Sequence, residues 1–478
     1  MKSPVLRLSC LLALTQLAAS VALSADPLKE QTEATMKKAA AFYAGKAAMN
    51  GGYVYYYSPD LKMRLGEGVA QPYQIFLQPP GTPTVGMALL KAYDATGDRF
   101  YLDAAISAGR AIAYGQLKSG AWRQTVDFDP RSKTAGVYRN GKGNPKGQNN
   151  STLDDDQSQA TMRFMMRLDK ALGFKDKQIH ESISIALDAL LKAQFPNGAF
   201  PQVWEEPVRP QKVIKASFPN YDYRTEGRVK NYWDMYTLND GLCGTVTQVL
   251  IEANEIYGND RYLKALAKLG DFLILAQMPE PQPAWAQQYG YSMHPIWARK
   301  FEPPAITGGE TQDAINVLMT IYEITGDEKY LKPIPSALAW LKRSLLKDGQ
   351  LARYYEMRSN RPLYMEREGK VYSLTYSDAN LPSHYGWKIG SRIPELEARF
   401  ADVRKQRGVR APGPTAAELA PRVREIIGSM DRYGRWVSTF KGEPLAGQPK
   451  FRPGDHYIHS GVFSENLETL SHYLTLVK

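Results

Sequence analysis

The sequence is poor in cysteine, in long apolar runs and in the signatures of most cofactor chemistry. Only Cys10 and Cys243 occur. Cys10 falls in a leader-like N-terminal stretch, which leaves Cys243 alone, so no internal disulfide is possible and no cysteine cluster can hold a metal. Stability must then come from an apolar core, and Cys243, set in an apolar helical run, is expected inside it. Beyond the leader no stretch approaches the roughly 18 apolar residues a membrane span needs, so no membrane segment is expected in the mature chain. There is no phosphate loop, no Gly-x-Gly-x-x-Gly before a helix and no His-Glu-x-x-His. The six histidines are scattered, and only His384-Tyr385-Gly386-Trp387 has a suggestive setting. The net charge is +11, yet no compact Lys/Arg block occurs and no nucleic-acid fold signature is present. A basic surface of this kind suits an acidic polysaccharide better than a nucleic acid.

What is present is globular: 478 residues, 43% hydrophobic and 23% charged. Residues 1–24 read as a secretory signal. Lys2 and Arg7 precede an apolar run from Leu8 to Val21, and small residues lead to a cleavage point after Ser24 or Ala25. The product is expected to be secreted or periplasmic, a monomer, with one domain over 25–478.

Helical periodicity dominates, with helices expected over 30–48, 82–95, 99–116, 155–172, 176–194, 237–256, 260–277, 311–325, 328–346 and 461–477. Strand-like runs are few, such as Val54–Tyr57 and Val371–Tyr376. An internal echo joins the helices. Thr96-Gly97-Asp98-Arg99-Phe100-Tyr101-Leu102 returns as Tyr257-Gly258-Asn259-Asp260-Arg261-Tyr262-Leu263 and as Thr325-Gly326-Asp327-Glu328-Lys329-Tyr330-Leu331. Each copy is a glycine helix end, a capping Asp or Asn and a new helix with an inward aromatic–Leu pair. Repeated helix hairpins imply an all-α fold, closed as an α/α toroid or stacked as a solenoid. A second echo sets glycine beside an aromatic at helix exits, in Gly52-Tyr53, Gly120-Ala121-Trp122 and Gly198-Ala199-Phe200. These rings, like the tyrosines at 53, 55, 56, 57, 354, 355 and 364, suit either sugar stacking or core packing. Residues 131–150 read as a mobile surface excursion and 400–425 as a linker.

Three stretches can carry chemistry. Asp154-Asp155-Asp156 opens a helix, and three consecutive acids exceed what capping needs, offering oxygens to a hard cation. Asn239-Asp240-Gly241 is a second helix start of the same kind. Arg299 sits in a proline- and aromatic-rich loop, His294 to Pro304, before another helix start. A guanidinium held in such a frame suits a carboxylate, or pairs with Glu302 or Glu310. Arg353 and Arg361, near tyrosines, are candidates for the same task. Asp154 and Asp240 could instead be the acid and base of a toroid glycoside hydrolase.

Taken in order, these stretches resemble the pectate lyases of polysaccharide lyase family ten. The similarity lies in Thr152-Leu153-Asp154-Asp155, Phe195-Pro196-Asn197-Gly198-Ala199-Phe200-Pro201-Gln202 and Thr237-Leu238-Asn239-Asp240. It continues in Pro295-Ile296-Trp297-Ala298-Arg299-Lys300-Phe301-Glu302, Gly308-Gly309-Glu310, Ala352-Arg353-Tyr354-Tyr355-Glu356 and Asn360-Arg361-Pro362. The resemblance implies an α/α toroid that cleaves polygalacturonate, or a related uronate polymer, by calcium-assisted β-elimination. It implies Arg299 as the base, Asp154, Asp240 and Asp155 around calcium, and Arg353, Arg361, Asn239, Tyr354 and Lys300 as contacts to substrate. The chain departs from the family at Gly241, where an acid is usual, at Tyr289-Gly290 in place of His-Asp, and at Val54-Tyr55, where a lysine is lost. Asp155 or Asp156 is expected to compensate at the metal. The lost acid and lysine leave a non-catalytic polysaccharide binder as a further alternative.

Overall fold

The computed structural model describes residues 27–224, 227–405 and 413–477. The expected leader, 1–24, lies outside the described residues. Among those residues the chain forms twelve α-helices and only short strands. They are α1 Pro27–Phe42, α2 Thr82–Thr96, α3 Arg99–Tyr114, α4 Gln157–Ala171, α5 Lys177–Lys192 and α6 Leu242–Tyr257. They continue as α7 Arg261–Ala276, α8 Gly308–Thr325, α9 Ile334–Arg343, α10 Ile393–Arg404, α11 Ala416–Ser429 and α12 Ser460–Leu476.

The echo read in the sequence is the joint between helices. Gly97, Gly258 and Gly326 all adopt left-handed φ, at 71°, 61° and 69°, and each ends a helix. The next residues turn the chain: Asp98 accepts from the Phe100 N–H at 2.9 Å, Asn259 from Arg261 at 3.1 Å and Asp327 from Lys329 at 3.0 Å. Caps of this type contribute about 1 kcal/mol each, and here they also fix where each hairpin folds back.

Packing follows the hairpins. Helices α12, α2, α4, α6, α8 and α10 each lie against the next, and α3, α5, α7 and α9 back onto α2, α4, α6 and α8. The C-terminal helix α12 packs on α2 and on α1, so the two ends of the chain share one unit of an α/α toroid. The strands show the same closure. In each hairpin a strand entering the inner helix pairs antiparallel with a strand leaving the outer one. Gln74–Phe76 pairs with Thr125–Asp127, Ser151–Thr152 with Val203–Trp204, Tyr236–Thr237 with Gln288–Tyr289, and Ile306–Thr307 with Tyr354–Tyr355. At the seam His456–His459, entering α12, pairs with Tyr56–Tyr57, leaving the α1 region. This pairing puts the starts of the inner helices at one end of the ring.

The loop aromatics are core. Tyr53 is 1% exposed, Trp122 0% and Phe200 0%, which settles them as packing residues rather than sugar platforms. The Tyr53 and Trp285 N–H groups donate to Thr82 and Thr311 hydroxyls at 2.9 and 3.1 Å, and Trp122 N–H reaches Ser158 at 3.3 Å, so each ring is locked over an inner-helix start. Cys243 is buried, as expected.

Three sequence expectations are corrected. Residues 131–150 are pinned rather than loose: Val137 N–H bonds to Gln148, Arg139 N–H to Gln116, and Tyr138 is 2% exposed. The stretch read as a linker holds the end of α10 and most of α11. The strand expected over Val54–Tyr57 is confined to Tyr56–Tyr57.

Candidate active site

Two inner-helix starts share one unusual backbone. Before α4, Asp155 (φ 45°) and Asp156 (φ 60°) are left-handed; before α6, Asp240 (φ 53°) and Gly241 (φ 67°) are left-handed in the same order. Consecutive left-handed residues are costly for most side chains and tolerated by Asp and Gly. The kink turns Asp155 and Asp240 off the helix axis toward each other. One oxygen from each of Asp154, Asp155 and Asp240 lies within 4.8 Å of the others. Asp156 is not part of this group: its carboxylate turns away to Arg163 at 2.7 Å. Gly241 occupies the equivalent position in the second turn, so the acid missing there removes nothing from the cluster. Of Asp155 and Asp156, Asp155 is the one in the cluster.

Crowding shows in the electrostatics. Burial, followed by the charges of Asp155 and Asp154, pushes Asp240 up to about 8, and the Arg299 and Arg353 guanidiniums offset only part of this. Burial, followed by Asp154, pushes Asp155 up to about 6. Three carboxylate oxygens converging in a partly desolvated site fit a hard, oxygen-seeking cation. Gln202 donates to Asp154 at 2.6 Å and Gln78 to Asp155 at 3.4 Å, fixing the acids from outside the cluster.

The arginines enter from the other side. Arg299 Nη2 lies 4.0 Å from Asp240 and 2.9 Å from Glu302. Glu302 is 1% exposed; it also accepts from the Arg299 backbone N–H and the Tyr385 hydroxyl, both at 2.8 Å. Burial pulls the Arg299 guanidinium down, but the Glu302 carboxylate outweighs it and the net direction is up. Of the two sequence candidates for its partner, Glu302 holds Arg299, and Glu310 lies near Arg353 instead. Arg353 stacks over Tyr385 at 4.3 Å and reaches Asn239 at 3.5 Å. Its Nε is buried without a hydrogen-bond partner among the described residues.

The remaining expected contacts divide. Asn239 is 4% exposed and bonds to both Asp240 and Arg353, and Tyr354 is 0% exposed with its hydroxyl on Gln287 at 3.1 Å. Both lie buried beneath the cleft and bond to residues that line it. Lys300 is exposed beside Arg299. Arg361 stands apart, stacked on Tyr376 at 3.5 Å beside the Arg224–Glu356 pair.

Sequence reasoning missed Tyr385, Gln202 and Gln78. A signal was available for one of them. Gln124, Gln202, Gln287 and Arg353 each immediately precede the strand that follows an outer helix, and each bonds with Gln78, Asp154, Tyr354 or Asn239 respectively. For Gln202 the marker is its place two residues after the buried ring of Phe200.

These features define the class: an α/α toroid with a carboxylate–guanidinium centre at one end of its helix ring. Residues 116–352 match the family model described as pectic acid lyase, and the chain belongs to that family of polysaccharide lyases. No curated protein matches it. Among solved structures it is similar to the family 10 polysaccharide lyase from Cellvibrio cellulosa, with 19% identity and a TM-score of 0.48 over 68% of this chain and 97% of that one. A mutant of that enzyme in complex with trigalacturonic acid matches at 18% identity and a TM-score of 0.47, over 68% and 98%. The GH76 α-mannanase of Bacteroides thetaiotaomicron matches at 12% identity and a TM-score of 0.41, over 94% and 96%.

Proposed function

We propose that the chain cleaves polygalacturonate, or a related uronate polymer, by β-elimination, with Arg299 as the base. The observation that carries this reading is the approach of Arg299 to the Asp154–Asp155–Asp240 cluster, with Asp240 4.0 Å from its guanidinium. Asp154, Asp155 and Asp240 would hold calcium, which when bound neutralises a uronate carboxylate and so acidifies the neighbouring C5–H bond. Arg353, half-buried with its guanidinium beside Asn239 and Asp240, would bind a substrate carboxylate there. Arg361 and Lys300 lie further out and contact more distant uronates.

Once the guanidinium has given up a proton to solvent, the elimination moves the C5 proton to the neutral Arg299, forms the C4=C5 double bond and expels O4 with its electron pair, which takes a proton from solvent. Glu302 and Tyr385 hold the guanidinium toward the cleft, so Arg299 needs no reorientation when substrate arrives. Asn239, Tyr354 and Gln287 hold Arg353 in the same way. The leader pattern over 1–24 supports action outside the cytoplasm, in the periplasm or beyond. No helix among the described residues is long and apolar enough to cross a membrane.

The test is ultraviolet absorbance of unsaturated uronate from polygalacturonate, with calcium and with chelator. Product in calcium alone supports the reading. Reducing ends without unsaturation would instead indicate hydrolysis by the aspartates, and binding without cleavage a non-catalytic binder.

A further inference from the structure

A second groove, of about 820 Å3, lies beside the carboxylate cluster. The wall between them is one residue thick. Gln202 donates its side chain to Asp154 at 2.6 Å and its backbone N–H to the Trp233 carbonyl at 2.9 Å, while its neighbours Pro201 and Val203 line the groove. Tyr232 feels the charges of Glu302, Arg299 and Asp154, and the next residue, Trp233, lines the groove. A polysaccharide lying over the cluster therefore has this space one residue away.

The chemistry changes across that wall. The catalytic side presents Arg299 and Arg353. The groove presents three carboxylates, Glu205, Glu206 and Asp234, against Arg209, with the Arg228 guanidinium stacked on the Trp233 ring at 5.3 Å. Arg123 stands near Glu205, with its guanidinium on Asn150. Burial, followed by the charge of Glu205, already holds Asp234 above the ordinary carboxylate range, so a further anion is poorly received. The rest of the surface is aromatic, with Trp233 and Tyr291 half-buried and the Tyr291 hydroxyl on the Asp234 carbonyl at 3.1 Å. Aromatic faces and carboxylate acceptors suit the C–H faces and hydroxyls of a sugar.

The geometry points to a subsite for an uncharged pyranose ring in this groove, next to the uronate that is cleaved. It rests on the lyase reading and narrows its substrate to polymers in which charged and uncharged rings alternate or mix. Such a ring is either a neutral sugar or an esterified uronate, which the experiment separates.

The experiment compares kcat/KM on three polymers: de-esterified polygalacturonate, its partly methyl-esterified form, and an alternating uronate–neutral-sugar polymer. The enzyme is expected to favour one of the latter two by roughly threefold to tenfold, the scale of exposed charge repulsion, and the favoured one identifies the ring. A Glu205→Gln, Asp234→Asn double variant should close that gap by lowering KM for polygalacturonate. A preference for polygalacturonate, or a gap that the double variant leaves unchanged, overturns the subsite. If no polymer yields unsaturated product, the lyase reading itself fails. Quenching of tryptophan fluorescence by oligosaccharides then still decides the subsite: stronger binding of the uncharged one, lost in Trp233→Ala, supports it, and stronger binding of the oligouronate overturns it.

Discussion

The Arg299 guanidinium donates to the buried Glu302 carboxylate at 2.9 Å, and the same carboxylate accepts from the Arg299 backbone and from Tyr385. The arginine proposed to take a proton is thus stored next to the group that most favours its charged form. The arrangement fixes position first, and turnover is expected to rise with pH as the guanidinium gives up its proton. Arg299→Ala should abolish unsaturated product while circular dichroism stays unchanged. Glu302→Gln keeps the shape but loosens the guanidinium, and kcat should fall about a hundredfold, the scale of an ångström-sized misplacement. A Glu302→Gln enzyme with wild-type kcat would remove Glu302 from this role.

A cation bound only by the folded state stabilises it by mass action, about 2.7 kcal/mol at a hundredfold excess over its dissociation constant. The melting temperature is therefore expected to rise with calcium. Asp155→Asn and Asp240→Asn should each erase most of that rise. Asp156→Asn should keep it, because Asp156 faces Arg163 rather than the cluster. An equal loss in all three variants would mean that the acids act through the helix starts and not through a shared ion.

The contrast between Asp155 and Asp156 shows where sequence reading stops. The helix joints were legible because a left-handed glycine and a capping Asp act within four residues. Helices α10 and α11 were not: α11 buries only Val423 and Ile426 and carries Pro421 inside it, so its periodic signal is weak. The acids could be nominated, but a run of three aspartates does not say which carboxylate the left-handed kink swings outward. For a related reason the sequence did not show that Tyr354 and Asn239 are buried. Their neighbours Arg353 and Asp240 do reach the cleft, and adjacent residues on a strand or kink face opposite ways.

Arg353 lies over the Tyr385 ring at 4.3 Å with an unpartnered Nε. A planar fork that stacks and donates is not replaced by an ammonium. Arg353→Lys should raise KM for polyuronate about tenfold with a smaller change in kcat, read from steady-state kinetics. A fall in kcat at constant KM would show that Arg353 acts on the transition state alone.

The toroid seam carries a pH dependence of its own. His459 ends the strand that joins the C-terminal helix to Tyr56–Tyr57. Its ring stacks on Tyr56 at 4.7 Å, and its Nε2 is buried with no partner among the described residues. Burial pushes it down from 6.5 to about 4. Between those values the unfolded chain binds a proton that the folded chain refuses, so stability is whole above pH 6.5 and falls as pH drops toward 4. The loss is at most about 3 kcal/mol, from 1.36 kcal/mol per pH unit. Urea unfolding at pH 7 and pH 4.5 should show that loss in the wild type and a smaller one in His459→Gln, whose amide does not titrate. Parallel losses in the two proteins would place the acid sensitivity in other groups and leave the seam indifferent to pH.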